Sequence, residues 1–273
     1  MTDRAPPTYL AKKNAHPRDE FIEFDEGPHI YTIHGEQGFT SVTTWNHSHF
    51  SHFDADSIID KILTNRKYNT DPQYKYYKKT REEIKEMWDK NRDSAATSGT
   101  NMHYDIECYY NGINNGNESI EFEYFLRFAK DYDYLIPYRT EWMIYHEELK
   151  LAGSIDMVFY NKRDNNYWIY DWKRCKEIAN EHPFGQHAAN PVISHFPDTN
   201  FWHYTLQLNT YKAVLEEKYG MKIAGLALVV LHPDNYYKTY DRIELPFIQE
   251  DIKALFEQRK QLLSNPVENE TKH

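Results

Sequence analysis

The chain has 273 residues with 32 Lys and Arg against 42 Asp and Glu, a formal net charge of −10. That balance, a mean hydropathy of −0.85 and only 10 Gly and 12 Pro place it outside the membrane and collagen classes. The longest apolar run near the C-terminus, Leu226 to Leu231, is far below the roughly 18 to 20 residues a bilayer span needs, so no membrane partner is expected. The first 20 residues are polar and lack the apolar stretch of a secretory signal, which points to an intracellular protein of cytoplasm or nucleus and not a secreted one. Cys108 and Cys175 form no C-x-x-C pair and read as reduced thiols. Negative charge disfavours indiscriminate binding to phosphate backbones but leaves room for a local basic groove, and the many carboxylates suit a hard cation.

In chain order, residues 1–20, with Pro6, Pro7 and Pro17 and no hydrophobic period, read as an extended or partly disordered N-terminal arm, and residues 21–273 as a single domain. His29–Ile33 and Phe39–Trp45 are strand-like around a turn at His34–Gly38. Ala55–Leu63 has helical periodicity, with Asp54 or Asp56 as its cap. Thr80 and Glu83 form a capping-box pattern for a helix to about Asp93, and Gly99 marks a break or close packing before a further helix, Met102–Tyr110. Ile120–Tyr132 is helical, and Tyr138–His146, Leu149–Tyr160 and Tyr167–Lys173 form an antiparallel meander. Residues 174–200 are a long polar loop, Phe201–Tyr219 a helix, Ala224–Leu231 a buried strand, Tyr236–Leu245 an edge strand and Ile248–Leu263 a last helix.

The most informative segments are Ala152-Gly153-Ser154-Ile155-Asp156 and Tyr170-Asp171-Trp172-Lys173. Alternation along a strand puts Asp171 and Lys173 on one side, and a hairpin brings Asp156 alongside them. Two carboxylates and an ammonium are a costly cluster for a core unless they pair or hold a metal. The same set suits metal-assisted phosphodiester hydrolysis, in which carboxylates hold Mg²⁺ or Mn²⁺ and a lysine offsets developing charge. On spacing alone, a surface ion pair on an edge strand is the competing reading.

Asp156…Asp171-Trp172-Lys173 behind Gly153, with Gly99-Thr100-Asn101-Met102-His103 and Glu107 upstream and Gln207-Leu208-Asn209-Thr210-Tyr211 downstream, resembles the PD-(D/E)XK nuclease superfamily. The likeness is to the branch that holds the RecB-type nuclease domains, the phage lambda-type exonucleases and the mitochondrial genome maintenance exonuclease. It runs from about Trp88 to Tyr211 and implies an α/β (α+β) fold with a restriction-endonuclease-like core, a mixed central β-sheet flanked by helices. It further implies that His103, Asp156, Asp171 and the backbone carbonyl of Trp172 hold one or two Mg²⁺ or Mn²⁺ ions, and that Lys173 positions or activates water. Gln207 and Tyr211 would contact the scissile phosphate or steady the site, with Glu107 and Glu141 as supporting carboxylates. Ile155 stands where many members have proline, and Asp171 where many have glutamate. Two cysteines cannot build the four-cysteine iron–sulfur clamp of some members, and no G-x-x-x-x-G-K-[ST] loop offers a nucleotide site.

The expected partner is DNA, single-stranded or double-stranded with ends, cut by a metal-dependent deoxyribonuclease of exonuclease type in replication, recombination or repair. A metal-dependent RNA endonuclease of the same fold and a non-catalytic nucleic-acid-binding protein are the alternatives. Arg174 and Lys176 follow the catalytic strand and are candidates for phosphate contacts. Lys75, Lys78, Lys79 and Arg81, interleaved with Tyr74, Tyr76 and Tyr77, read either as a groove that stacks bases and holds phosphates or as a polar loop. Ser41, Thr43, Thr44 and Trp45 read either as nucleic-acid-facing or as part of a buried strand, and His182, His187, His195 and His203 as a solvated loop more than a zinc site.

Overall fold

The computed structural model describes residues 6–265, which form two compact units, residues 6–51 with 102–265, and His52–Asn101. In chain order the elements are α1 (Tyr9–Lys13), β1 (Ile22–Asp25), β2 (Ile30–Ile33), β3 (Thr40–Ser41), α2 (Val42–His47), α3 (Ala55–Thr64), α4 (Arg66–Thr70), α5 (Arg81–Tyr110) and α6 (Ile120–Asp131). There follow β4 (Leu135–His146), β5 (Leu151–Asn161), β6 (Asn166–Lys173), α7 (Asn200–Lys218), β7 (Ile223–Val230), β8 (Asp241–Glu244) and α8 (Gln249–Ser264). No helix among the described residues is long and apolar enough to cross a membrane.

The large unit is mixed α/β, with a central sheet that is part parallel and part antiparallel and is flanked by helices. Its strand order is β3-β5-β6-β7-β8, with β4 also on β5. The meander β4-β5-β6 is antiparallel as the alternating sequence requires, whereas β7 returns parallel to β6 through the crossover helix α7. One sheet face packs Val42 and Trp45 of α2, Leu206, Leu208 and Tyr211 of α7, and Leu255 and Phe256 of α8. The other carries Met102 and Ile106 of α5 with Tyr124, Phe125 and Phe128 of α6, packed on Tyr170 and Trp172. Alternate residues of one strand thus feed two cores, which is why both faces of the buried strands read as apolar.

Several expectations change. Residues 9–21 are not an extended arm. α1 buries Leu10, whose N–H donates to Asn111 Oδ1 at 2.9 Å, and a 3₁₀ turn at Pro17–Phe21 is capped by His16. Asp19 then accepts from Arg139 Nη1 at 2.6 Å and Trp142 Nε1 at 2.9 Å on β4, so a part-buried ion pair overrides the proline-rich composition. Residues 1–5 of that arm lie outside the described residues. Phe39–Trp45 is strand only at Thr40–Ser41, because the Ser41 hydroxyl accepts from Thr44 N–H and caps α2. Gly99 neither breaks nor packs a helix: α5 runs through it, and a Cβ there would meet nothing within 4 Å.

In the small unit Asp54 caps α3 and the Thr80–Glu83 capping box opens α5, both as read from the sequence. The predicted edge strand Tyr236–Leu245 is shortened to β8, since residues 233–239 form turns.

Gly225 on β7 lies beside Trp168 on β6, and a Cβ there would sit 2.2 Å from the indole. Gly225→Ala is therefore expected to lower stability by about 1–3 kcal/mol. Gly99→Ala should be neutral or stabilising by about 0.5–1 kcal/mol. Urea midpoints of the two variants check this, and equal midpoints would contradict the packing assigned to Gly225.

Candidate metal centre

β5 and β6 pair from Asn161↔Asn166 only as far as Met157↔Tyr170, and there the ladder stops. Beyond it the Trp172 N–H donates at 2.9 Å to Asp156 Oδ2, so a side chain takes the place of a strand carbonyl. The strands part, and the opening is where the candidate residues gather. β6 stays paired with β7 through Lys173↔Val230, which keeps Asp171 and Lys173 on a rigid element while they face the gap.

His103, on the C-terminal part of α5, enters the gap. Its Nε2 lies 3.0 Å from the Trp172 carbonyl oxygen, and its Nδ1 lies 3.5 Å from Asp156 Oδ2 and 3.6 Å from Glu141 Oε1. One donor atom each from His103, Glu141 and Asp156 fall within 4.8 Å of one another, the grouping a cation needs. Glu141, expected from the sequence as a supporting residue, therefore belongs to the central set. It is held in the left-handed backbone region at φ 42° and accepts from the Ser154 hydroxyl at 3.1 Å. A non-glycine residue in that region costs of order 1–3 kcal/mol and is tolerated where neighbours fix it. The two Asp19 hydrogen bonds, to Arg139 and Trp142, bracket it on β4.

Asp171 is not part of that three-residue set. It is 2% exposed, with Oδ2 at 2.6 Å from Lys173 Nζ, an ion pair without good hydrogen-bond geometry. Burial and the Asp156 charge push its pKa up to about 6. Burial likewise raises Asp156 against the pull of His103 and Lys173. Lys173 works the other way: burial opposes its charge, but Asp171 and Asp156 hold its pKa above the usual lysine range. Its ammonium also lies 4.6 Å from the centroid of the Tyr204 ring. For His103, burial disfavours the cation, yet Asp156 and Glu141 raise the pKa to about 9. The raised pKa marks a position at which the two carboxylates favour positive charge.

One imidazole nitrogen and two carboxylate oxygens are a donor set for Mg²⁺ or Mn²⁺, the nitrogen favouring the softer Mn²⁺. The nearby Trp172 carbonyl and the under-bonded Asp171 carboxylate add oxygen donors of the same kind. The residues present fit a divalent cation, and His103 would give up a proton on binding it.

Gln207 and Tyr211 lie one turn apart on α7, Nε2 to hydroxyl 3.5 Å. Tyr211 packs on Gly153, where a Cβ would stand 2.8 Å from its ring, so that glycine is required by contact and not by backbone angle. Glu107 is buried, lines a cavity of about 490 Å³ with Glu141, Ser154 and Tyr31, and has its pKa pushed up to about 8 by burial and by Glu141.

Arg174 and Lys176 are engaged in ion pairs, with Glu121 at 2.6 Å and Asp234 at 2.6 Å. Lys78 and Lys79 belong to the small unit. Three of the four histidines lie in the loop and the fourth, His203, is on α7, and they have separate employments: His182 accepts backbone N–H groups, His187 meets the Ser194 carbonyl, His195 pairs with Asp251 and His203 with Asp198.

Tyr204 and Ser154 were not foreseen. Tyr204, Gln207 and Tyr211 share the i, i+3, i+7 stripe of α7, and Ser154 precedes Asp156 by one strand period, so the signal for both was present. No protein-family model matches the chain, and no curated protein matches it significantly.

A cation in this centre stabilises the fold by mass action, about 2.7 kcal/mol at a hundredfold excess over Kd. Mn²⁺ is expected to raise the wild-type melting temperature. Glu141→Gln with Asp156→Asn should abolish the rise, as read by calorimetry. A wild type whose midpoint ignores both Mn²⁺ and Mg²⁺ would remove the metal centre.

Proposed function

We propose that the chain is a metal-dependent deoxyribonuclease of the PD-(D/E)XK superfamily, acting on DNA ends as an exonuclease in replication, recombination or repair. The observation that carries this reading is the convergence of His103, Glu141 and Asp156 beside a buried Asp171–Lys173 pair where β5 and β6 part. The motifs that carry the resemblance lie far apart in the chain, and their closeness in space supports it.

A divalent ion held by His103, Glu141 and Asp156, with Asp171 and the Trp172 carbonyl beside them, would polarise the phosphate and lower the pKa of a bound water. The chain's own groups supply the rest. Lys173 brings a fixed positive charge to the gap and is kept protonated by Asp171 and Asp156, so it offsets the negative charge that grows on the phosphoryl oxygens. Asp171 orients that ammonium, and the Tyr204 ring bounds it on one side. With Nδ1 turned toward the carboxylates, His103 is oriented by Nε2 against the Trp172 carbonyl, which fixes its plane. Gln207 offers an amide to a phosphate oxygen and is steadied by Tyr211.

Lys173→Ala is expected to reduce cleavage of linear DNA by about 10²–10³-fold or more with an unchanged circular dichroism spectrum. In the wild type, chelator should stop cleavage, and covalently closed circles should survive. Substantial residual cutting by a folded Lys173→Ala protein would contradict the role given to this lysine, and cut circles would contradict the exonuclease reading.

A further inference from the structure

The small unit, His52–Asn101, carries ten Lys and Arg against nine Asp and Glu in a chain whose net charge is −10. Its own apolar centre is Ile59 of α3 and Ile84 of α5, both fully buried. The unit's large rings form a run. Phe53 lies edge-on to Trp88 at 5.8 Å between centroids, Trp88 to Tyr76 at 6.3 Å, and Tyr76 to Tyr74 at 5.6 Å. The Trp88 Nε1–H donates to the Tyr76 hydroxyl at 2.9 Å, so the two middle rings are fixed relative to each other. Phe53 at the end of the run is 72% exposed, an apolar surface that core packing does not explain.

Beside Phe53 and Trp88 is a cavity of about 490 Å³, also lined by Ala55, Lys85, Asp89 and Arg92. The two cations there are already neutralised, Lys85 by Asp56 at 2.8 Å and Arg92 by Asp89 at 2.9 Å, so this pocket presents ring faces more than charge. Free charge is supplied further along the run. Lys75 Nζ sits 4.9 Å from the Tyr76 ring and Lys78 Nζ 5.3 Å from the Tyr77 ring, both side chains are exposed, and among the described residues neither meets a carboxylate. Lys78 is held in the left-handed region at φ 50°, with its N–H donating to the Tyr68 carbonyl at 3.1 Å, and the Tyr68 hydroxyl donates to the Lys79 carbonyl at 3.1 Å. The turn that carries these cations is therefore pinned.

We propose that the small unit is a binding track for a single-stranded nucleic acid, with bases stacked on Phe53 and Trp88 and the backbone held by Lys75 and Lys78. Rings in a run offer π-faces that any base can use, whereas a duplex keeps its bases stacked on one another and offers only its backbone. Unpaired lysines beside the rings meet the phosphates and make binding salt-dependent. The inference deepens the nuclease reading by naming the form in which substrate is held, but it is tested without cleavage.

Binding of the full-length protein to a labelled mixed-sequence DNA strand, the RNA of the same sequence and the DNA duplex is measured in chelator. Phe53→Ala, a change at an exposed ring that leaves the unit's centre intact, is expected to weaken single-strand binding at least about fivefold and to leave duplex binding unchanged. Lys75→Gln with Lys78→Gln should weaken it too and flatten its dependence on salt. A loss confined to DNA or to RNA supports the track and names its substrate. Single-strand binding unchanged in Phe53→Ala, or lost equally for strand and duplex, overturns the inference. Because chelator suppresses cleavage, a track that binds in a protein that never cuts would sink the nuclease reading alone. Cutting by a wild type whose Phe53→Ala variant binds normally would sink the track alone.

Discussion

The hydrogen bond from the Trp172 N–H to the Asp156 carboxylate is the constraint on which the candidate centre depends. An antiparallel pair that continued past Met157↔Tyr170 would place β5 and β6 side by side and close the space between them. Giving that N–H a side-chain acceptor satisfies the donor while letting the strands part, so the sheet opens without leaving a buried amide unpaired. The same bond fixes the Asp156 carboxylate, and through it the distance to His103. Gly153, two residues before Ser154's neighbour Ile155, leaves the edge of β5 bare enough for Tyr211 to lie against it, and α7 is thereby seated over the gap.

What gathers in the opening is too much charge for an ordinary core. Asp156, Asp171, Glu141, His103 and Lys173 are brought together, and the pKa values of the two aspartates, His103 and Lys173 move accordingly. Burial raises the aspartates, while the carboxylates raise His103 and Lys173, so each group leans on its neighbours for its charge state. Such clusters usually cost stability. Here the left-handed Glu141 adds a local backbone cost, offset by Asp19, which ties the residues on either side of it to the N-terminal segment. The strain and the charge fall at the same place, which is the pattern of a functional site more than of a packing solution.

Much of this was legible in the sequence because the relevant signals are local. The alternation of β4, β5 and β6, the capping residues of α3 and α5, and the i, i+4 spacing of Gln207 and Tyr211 each follow from short-range rules. The need for glycine at Gly153 comes from a tyrosine ring of α7, a tertiary reason that no local pattern carries. The misreadings share a cause. Leu10 and Asp19 lie in a polar, proline-bearing stretch whose order comes from Asn111, Arg139 and Trp142, more than a hundred residues away. Glu141 could not be ranked with His103 and Asp156 without the kink at its own φ, which no pattern of hydrophobic residues encodes. Gly99 is a weak helix former, yet α5 continues through it.

An acidic chain that works on a polyanion must concentrate its positive charge where it is needed. On the proposed reading it does so in two chemically different ways. In the gap between β5 and β6, carboxylates outnumber cations, and the balance is left for a divalent ion and Lys173, which places charge on the phosphate under attack and little elsewhere. In the small unit, lysines stand free beside aromatic rings and hold backbone that is not being cut. The first arrangement is short-ranged, since ion and phosphate must touch. The second is long-ranged and screened by salt. Raising ionic strength should therefore weaken capture well before it affects a bound phosphate, so KM rises with salt while kcat changes little. On the same reading, that separation would let a protein of net charge −10 select its substrate without attracting nucleic acid over its whole surface.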